Sequence, residues 1–166
     1  MPLSNLKDAL VHQMKDLLSA EKQLAQALPK MARAATDDEL RQAFEQHAAE
    51  TKEQVKRIEQ VFRALDMTPR AHKCEAMQGL IEEGQEVLEA KKVDDEVRDA
   101  LLIASAQKVE HYEIASYGCA CTWAALLGFD DVAELLQETM AEEKATDEKL
   151  TTIAERINEE AAAPVG

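Results

Sequence analysis

The sequence predicts an all-α fold, a bundle of four long helices with one long crossover that contains a short fifth helix. Three observations lead there. Ala, Leu, Glu, Lys and Gln dominate the composition, and these are strong helix formers. Only five glycines and four prolines interrupt 166 residues. Apolar residues recur at spacings of three and four through four long stretches, the pattern of a helix with one buried face. The length suits a single domain over residues 1–166, large enough to bury a core without covalent staples.

The first helix is expected from about Ser4 to Ala35, with a kink or break at Pro29, whose ring removes an amide hydrogen bond. Thr36 and Glu39 form a Thr-x-x-Glu capping box that opens the second helix, which runs to about Leu65 with Pro69 beyond it. Met77, Leu80, Ile81, Val87 and Leu88 mark a short helix between about Cys74 and Lys91, weakened at Gly79 and Gly84. The third long helix spans about Asp95 to Leu127, and Gly128 is its stop signal. Asp130 or Asp131 caps the fourth, which ends near Asn158 and leaves a frayed tail. Helix, tight turn, helix, long crossover, helix, tight turn, helix is the ferritin-like connectivity.

Charge and cysteine content narrow the function. A formal charge of −14 without a basic tract argues against nucleic-acid binding. No apolar run approaches a membrane span, and the amphipathic N-terminus lacks a signal-peptide core. Three cysteines are an odd number, and Cys119 and Cys121 point to different faces of a helix, so a reducing cytoplasmic setting is expected.

The apolar seams are interrupted by acids. The first helix reads Leu3, Leu10, Met14, Leu17, Glu21, Leu24, Leu28. The second reads Phe44, His47, Thr51, Val55, Ile58, Phe62, with Glu50 flanking His47. The third reads Ile103, Ala106, Glu110, Glu113, Tyr117, Ala120. The fourth reads Val132, Leu136, Met140, Glu143, Asp147, Leu150. A lone buried carboxylate costs several kcal/mol, so such groups are paired, protonated or metal-bound. No lysine or arginine shares these seams. At about 1.5 Å per residue, Glu21 and Glu50 lie roughly 22 and 21 Å from the first turn, and Glu113 and Glu143 roughly 24 and 21 Å from the second. Each hairpin thus holds its acids at one level. The pattern predicts that Glu21, His47, Glu50, Glu113 and Glu143 converge around two metal ions, with Glu110 and Asp147 close by. Tyr117, a turn beyond Glu113, is read mainly as packing. His12, His72 and His111 have no such support.

The strings SAEKQL, HAAET, KVEHYEIASYG and EEKATDEKLT around these residues, with CEAMQGLIEEGQEVLE in the crossover, resemble the bacterial YciF-type stress proteins over roughly Leu6 to Ile157. The resemblance implies a ferritin-like fold related to rubrerythrin, a metal-binding bundle core, homodimeric assembly and a stress-response role. The ligand set departs from the common ferritin-like pattern of two Glu-x-x-His motifs. The second helix reverses the order as His47 then Glu50, and the fourth has no histidine. Six carboxylates exceed the charge of two divalent ions, which makes Glu110 and Asp147 candidates for outer positions or alternative ligands. Iron is the first choice and manganese the alternative. The functional expectation is a di-iron protein that oxidises iron or consumes peroxide. The alternative is a non-catalytic helical interaction protein with a structural metal or a buried polar site.

Overall fold

The computed structural model describes residues 3–163. Its helices are α1 (Leu6–Ala34), α2 (Asp38–Ala64), α3 (Glu75–Glu89), α4 (Asp95–Leu126) and α5 (Asp130–Ala161), and the described residues contain no strand. α1 pairs with α2 and α4 with α5 across short turns. α2 also packs on α5 and α1 on α4, which closes a four-helix ring, while α3 lies outside against α1 and α4. The chain is thus all-α, with one long crossover between its second and third long helices, as the sequence predicts. Among the described residues no helix is long and apolar enough to cross a membrane.

The helix ends show how local chemistry sets the hairpins. Asn5 caps α1 by accepting from the Asp8 amide at 2.9 Å, and the Asp8 carboxylate accepts from the Ser4 amide at 3.0 Å in return. The Thr36 capping box does not form. Asp37 caps α2, accepting from the Leu40 amide at 2.9 Å. Thr36 is drawn elsewhere: its amide (3.0 Å) and hydroxyl (2.6 Å), together with the Asp37 amide (2.8 Å), donate to the buried Asp99 of α4. Gly128 ends α4 with φ +75°, while its amide and that of Phe129 bond back to Ala125 and Ala124. α5 opens at Asp130 after Phe129, with no side-chain cap. Asp130 and Asp131 therefore sit in the first turn, where their charge suits the helix dipole. α5 continues past Asn158 to Ala161, and the end of the expected frayed tail, residues 164–166, lies outside the described residues. α1 shows no break at Pro29, because Leu24, Leu28, Met31 and Ala32 on either side stay buried on one face.

The core has two apolar parts. One, toward the α1–α2 turn, contains Leu24, Leu28, Phe44, Leu102, Ile103 and Leu150. The other, toward the α4–α5 turn, contains Leu10, Leu17, Ile58, Phe62, Tyr117 and Leu136. Leu3 stands outside both, 59 % exposed. The buried polar residues of the bundle centre fall between these parts in sequence on every long helix. The crossover is tied down by main-chain bonds. The His72 amide donates to Lys15 O at 3.2 Å, the Cys74 amide to Ser19 Oγ at 3.0 Å, and Gln23 Nε2 to Cys74 O at 3.1 Å.

Candidate metal centre

Glu21 of α1, His47 of α2, Glu110 and Glu113 of α4 and Glu143 of α5 are all buried, at 0–3 % exposure. One ligand atom each from His47, Glu110, Glu113 and Glu143 lie within 4.8 Å of one another. His47 Nδ1 is 3.1 Å from Glu110 Oε1, and its Nε2 is 3.7 Å from Glu143 Oε2. Among the described residues no lysine or arginine is buried, so no cation of the chain neutralises the group from within.

Several side chains hold the acids in place. The Tyr117 hydroxyl donates to Glu21 Oε1. Gln54 Nε2 donates to Glu143 Oε1 and, at 3.0 Å, to Glu142 Oε2. Arg57 fixes Glu142 with two bonds of 2.8 and 2.9 Å and reaches Thr139 Oγ1 at 2.8 Å. Even so, Glu21 Oε2, His47 Nε2, Glu110 Oε2, Glu143 Oε2 and both oxygens of Glu113 are buried without a hydrogen-bond partner. Unpaired buried acceptors are costly, and a shared cation satisfies them together.

The electrostatics reflect this crowding. Burial, followed by the charge of Glu143, pushes the Glu21 carboxyl up to about 8, although the Tyr117 hydrogen bond partly opposes the rise. Burial also raises Glu110 to about 8, despite a hydrogen bond with Glu143. Glu113 and Glu143 are raised well above the ordinary carboxylate range, again chiefly by burial, with neighbouring carboxylates adding to it.

The remaining sequence-predicted residues stand at the margin. Glu50 is half-buried and accepts from Gln46 at 2.8 Å, on the wall of a groove of about 200 Å³ between α2 and α5 that Glu142 and Lys149 also line. Its charge still reaches Glu110. Asp147 is half-buried between Gln107 Nε2 at 3.3 Å and His111 Nε2 at 3.4 Å. The tight group includes Glu110, for which the sequence leaves open an outer position or a ligand role, and leaves Glu50 at the edge. Sequence reading passed over Gln54, having placed Val55 on that seam. Gln54 follows His47 by seven residues, the same helical face, and that was the available signal.

Comparison with known proteins agrees with the all-α fold. The family described as Domain of unknown function (DUF892) matches residues 5–163. The chain belongs to this family. It is 52 % identical to Protein YciF of Escherichia coli (strain K12) over 155 residues, 93 % of each chain. The crystal structure of the E. coli stress protein YciF superposes with a TM-score of 0.91 at 50 % identity, covering 95 % of this chain and 99 % of that one. YcfI from Rhodopseudomonas palustris, described provisionally as a structural protein, gives a TM-score of 0.87 at 42 % identity over 90 % and 95 % of the two chains. A protein from Xanthomonas campestris pv. campestris shares the fold, with a TM-score of 0.73 at 22 % identity over 92 % and 93 % of the chains. The chain is a YciF-type helical protein, and its buried group of His47, Glu110, Glu113 and Glu143 could hold a metal ion.

Proposed function

We propose that the chain is a single-domain, cytoplasmic dinuclear-metal protein of the stress response. Its centre would hold two ions, iron first and manganese as the alternative. His47, Glu110, Glu113 and Glu143 would hold them with Glu21, while Glu50 and Asp147 serve from the margin. The observation that carries this reading is the set of six unpartnered buried oxygen and nitrogen atoms on Glu21, His47, Glu110, Glu113 and Glu143. Oxygen-rich donors with one imidazole suit hard or borderline cations. A bound iron pair would supply redox capacity toward peroxide or dioxygen, which fits iron oxidation or peroxide consumption. The protein's own part is to hold Glu21 through Tyr117 and Glu143 through Gln54, and to keep water out with apolar packing on both sides.

The test is metal per chain in protein purified without chelators. About two ions are expected by analogy with two-metal sites. Glu113→Ala, Glu143→Ala and Glu50→Ala should each lower the content, and the exposed Glu45→Ala should not. Equal content in all variants sinks the assignment. Peroxide and oxygen consumption by the iron-loaded protein then separates a catalyst from an inert site. The YcfI description favours a second reading, a non-catalytic interaction protein that uses the same centre structurally.

Homodimeric assembly belongs to the proposal as well. Val132 does not support it, because it is buried within the chain, and Leu135 packs against the same cluster. The apolar surface is elsewhere, at Val97, Leu101 and Leu126, which are 37, 42 and 73 % exposed. A monomer by light scattering would count against a dimer.

A further inference from the structure

Two histidines and an aspartate, residue types that can ligate a metal, lie together outside the bundle centre, where the crossover meets α1. His12 and Asp16 stand four residues apart and share one face of α1. His72, in the crossover, is pinned over that face by its amide bond to Lys15 O at 3.2 Å. His72 Nε2 lies 3.5 Å from Asp16 Oδ1, and the His12 and His72 rings are 4.5 Å apart between centroids. The other Asp16 oxygen, Oδ2, accepts from the Tyr112 hydroxyl, which in turn is 3.0 Å from Cys74 Sγ. One carboxylate oxygen is therefore fixed from below while the other faces an imidazole. A hydrogen bond from outside that orients a carboxylate in this way is the usual support of a metal ligand.

We infer that His12, Asp16 and His72 form a surface site for a borderline divalent transition cation such as Zn(II) or Cu(II). Two imidazoles and one carboxylate are the donor set that this class prefers, in contrast to the oxygen-rich centre. The cluster is open to such an ion, since His12 is exposed and the His72 side chain is 35 % exposed. The nearest lysine of the crossover, Lys73, is turned to Glu75 at 2.9 Å. Binding requires the exposed His12 side chain to turn toward Asp16 and His72, which its exposure leaves it free to do. A bound ion would join the crossover to α1 through side chains, beside the existing main-chain bond.

The test uses full-length protein carrying Glu113→Gln and Glu143→Gln, which weakens binding at the bundle centre, and the histidine variants below tell the two sites apart. Titration calorimetry with Zn(II) should show one ion per chain. Adding His12→Ala and His72→Ala should remove it, and Tyr112→Phe should weaken it roughly tenfold by freeing Asp16. The Cu(II) electron paramagnetic resonance spectrum should show coupling to imidazole nitrogen that is lost with the two histidines. Circular dichroism confirms that each variant is folded. Zn(II) binding that is absent from the folded background variant, or unchanged when both histidines are replaced, overturns the site without bearing on the bundle centre.

Discussion

The Tyr117 hydroxyl donates to Glu21, and both side chains are wholly buried, so a single hydrogen bond ties α4 to α1 at the level of the candidate metal centre. Tyr117→Phe keeps the packing and removes the donor. Glu21 then has two unpartnered oxygens instead of one. The metal-free variant should lose about 1–3 kcal/mol by urea unfolding with chelator present. Its metal affinity should fall too, because the Tyr117 bond lowers the Glu21 pKa. Unchanged stability would show that the bond contributes little.

Glu113 presents the opposite case, since neither of its oxygens has a partner. Glu113→Gln keeps the shape and removes an acid whose ionisation burial opposes. The variant should bind less metal yet be more stable than the metal-free parent, by about 1–3 kcal/mol at neutral pH. Thermal unfolding with and without chelator reads both effects. A variant less stable than the metal-free parent would contradict the electrostatic account.

The pH dependence has a defined sign. Glu21 and Glu110 rise to about 8 from an ordinary 4.5, so the folded state holds their protons more tightly than the unfolded chain does. Their contribution to stability is fully present below about 4.5 and is lost as the pH rises through about 8. Metal-free protein should therefore weaken across that window, with a slope of up to about 1.4 kcal/mol per pH unit for each carboxylate that ionises. Metal-loaded protein should show the reverse trend, because protons compete with the ions for the same oxygens. Urea titrations from pH 5 to pH 8 distinguish the two, and a flat profile without metal would refute the raised pKa values.

The cysteines offer a probe of the crossover. Cys119 is exposed and Cys121 half-buried, whereas Cys74 is 1 % exposed, with its thiol pushed up by burial. Iodoacetamide should modify Cys119 first and reach Cys74 only on unfolding or detachment of the crossover. Early labelling of Cys74, identified by peptide mass, would show that the crossover opens readily.

The seams of α1 and α4 were legible because their buried positions follow the helical period through Glu21, Glu110, Glu113 and Tyr117. The seam of α2 was less so. From His47, Glu50 is rotated by about 60° around the axis and Gln54 by only about 20°, so Gln54 turns inward while Glu50 reaches the rim. On α4 the same three-residue step stays buried at both ends, because α1, α3 and α5 all cover that helix. The order of helices could be read from turn residues, but the cap of α2 could not. Thr36 fits a local capping motif, and the acceptor that claims it, Asp99, lies 63 residues away.

That acceptor has a consequence for how the chain assembles. Asp99 belongs to the second hairpin yet receives three donors from the turn of the first. A fragment holding only α1 and α2 leaves the Thr36 and Asp37 amides turned toward water, without the carboxylate that holds their turn. The first hairpin is thus unfinished until α4 arrives. The bundle is one cooperative unit rather than two hairpins that fold and then dock.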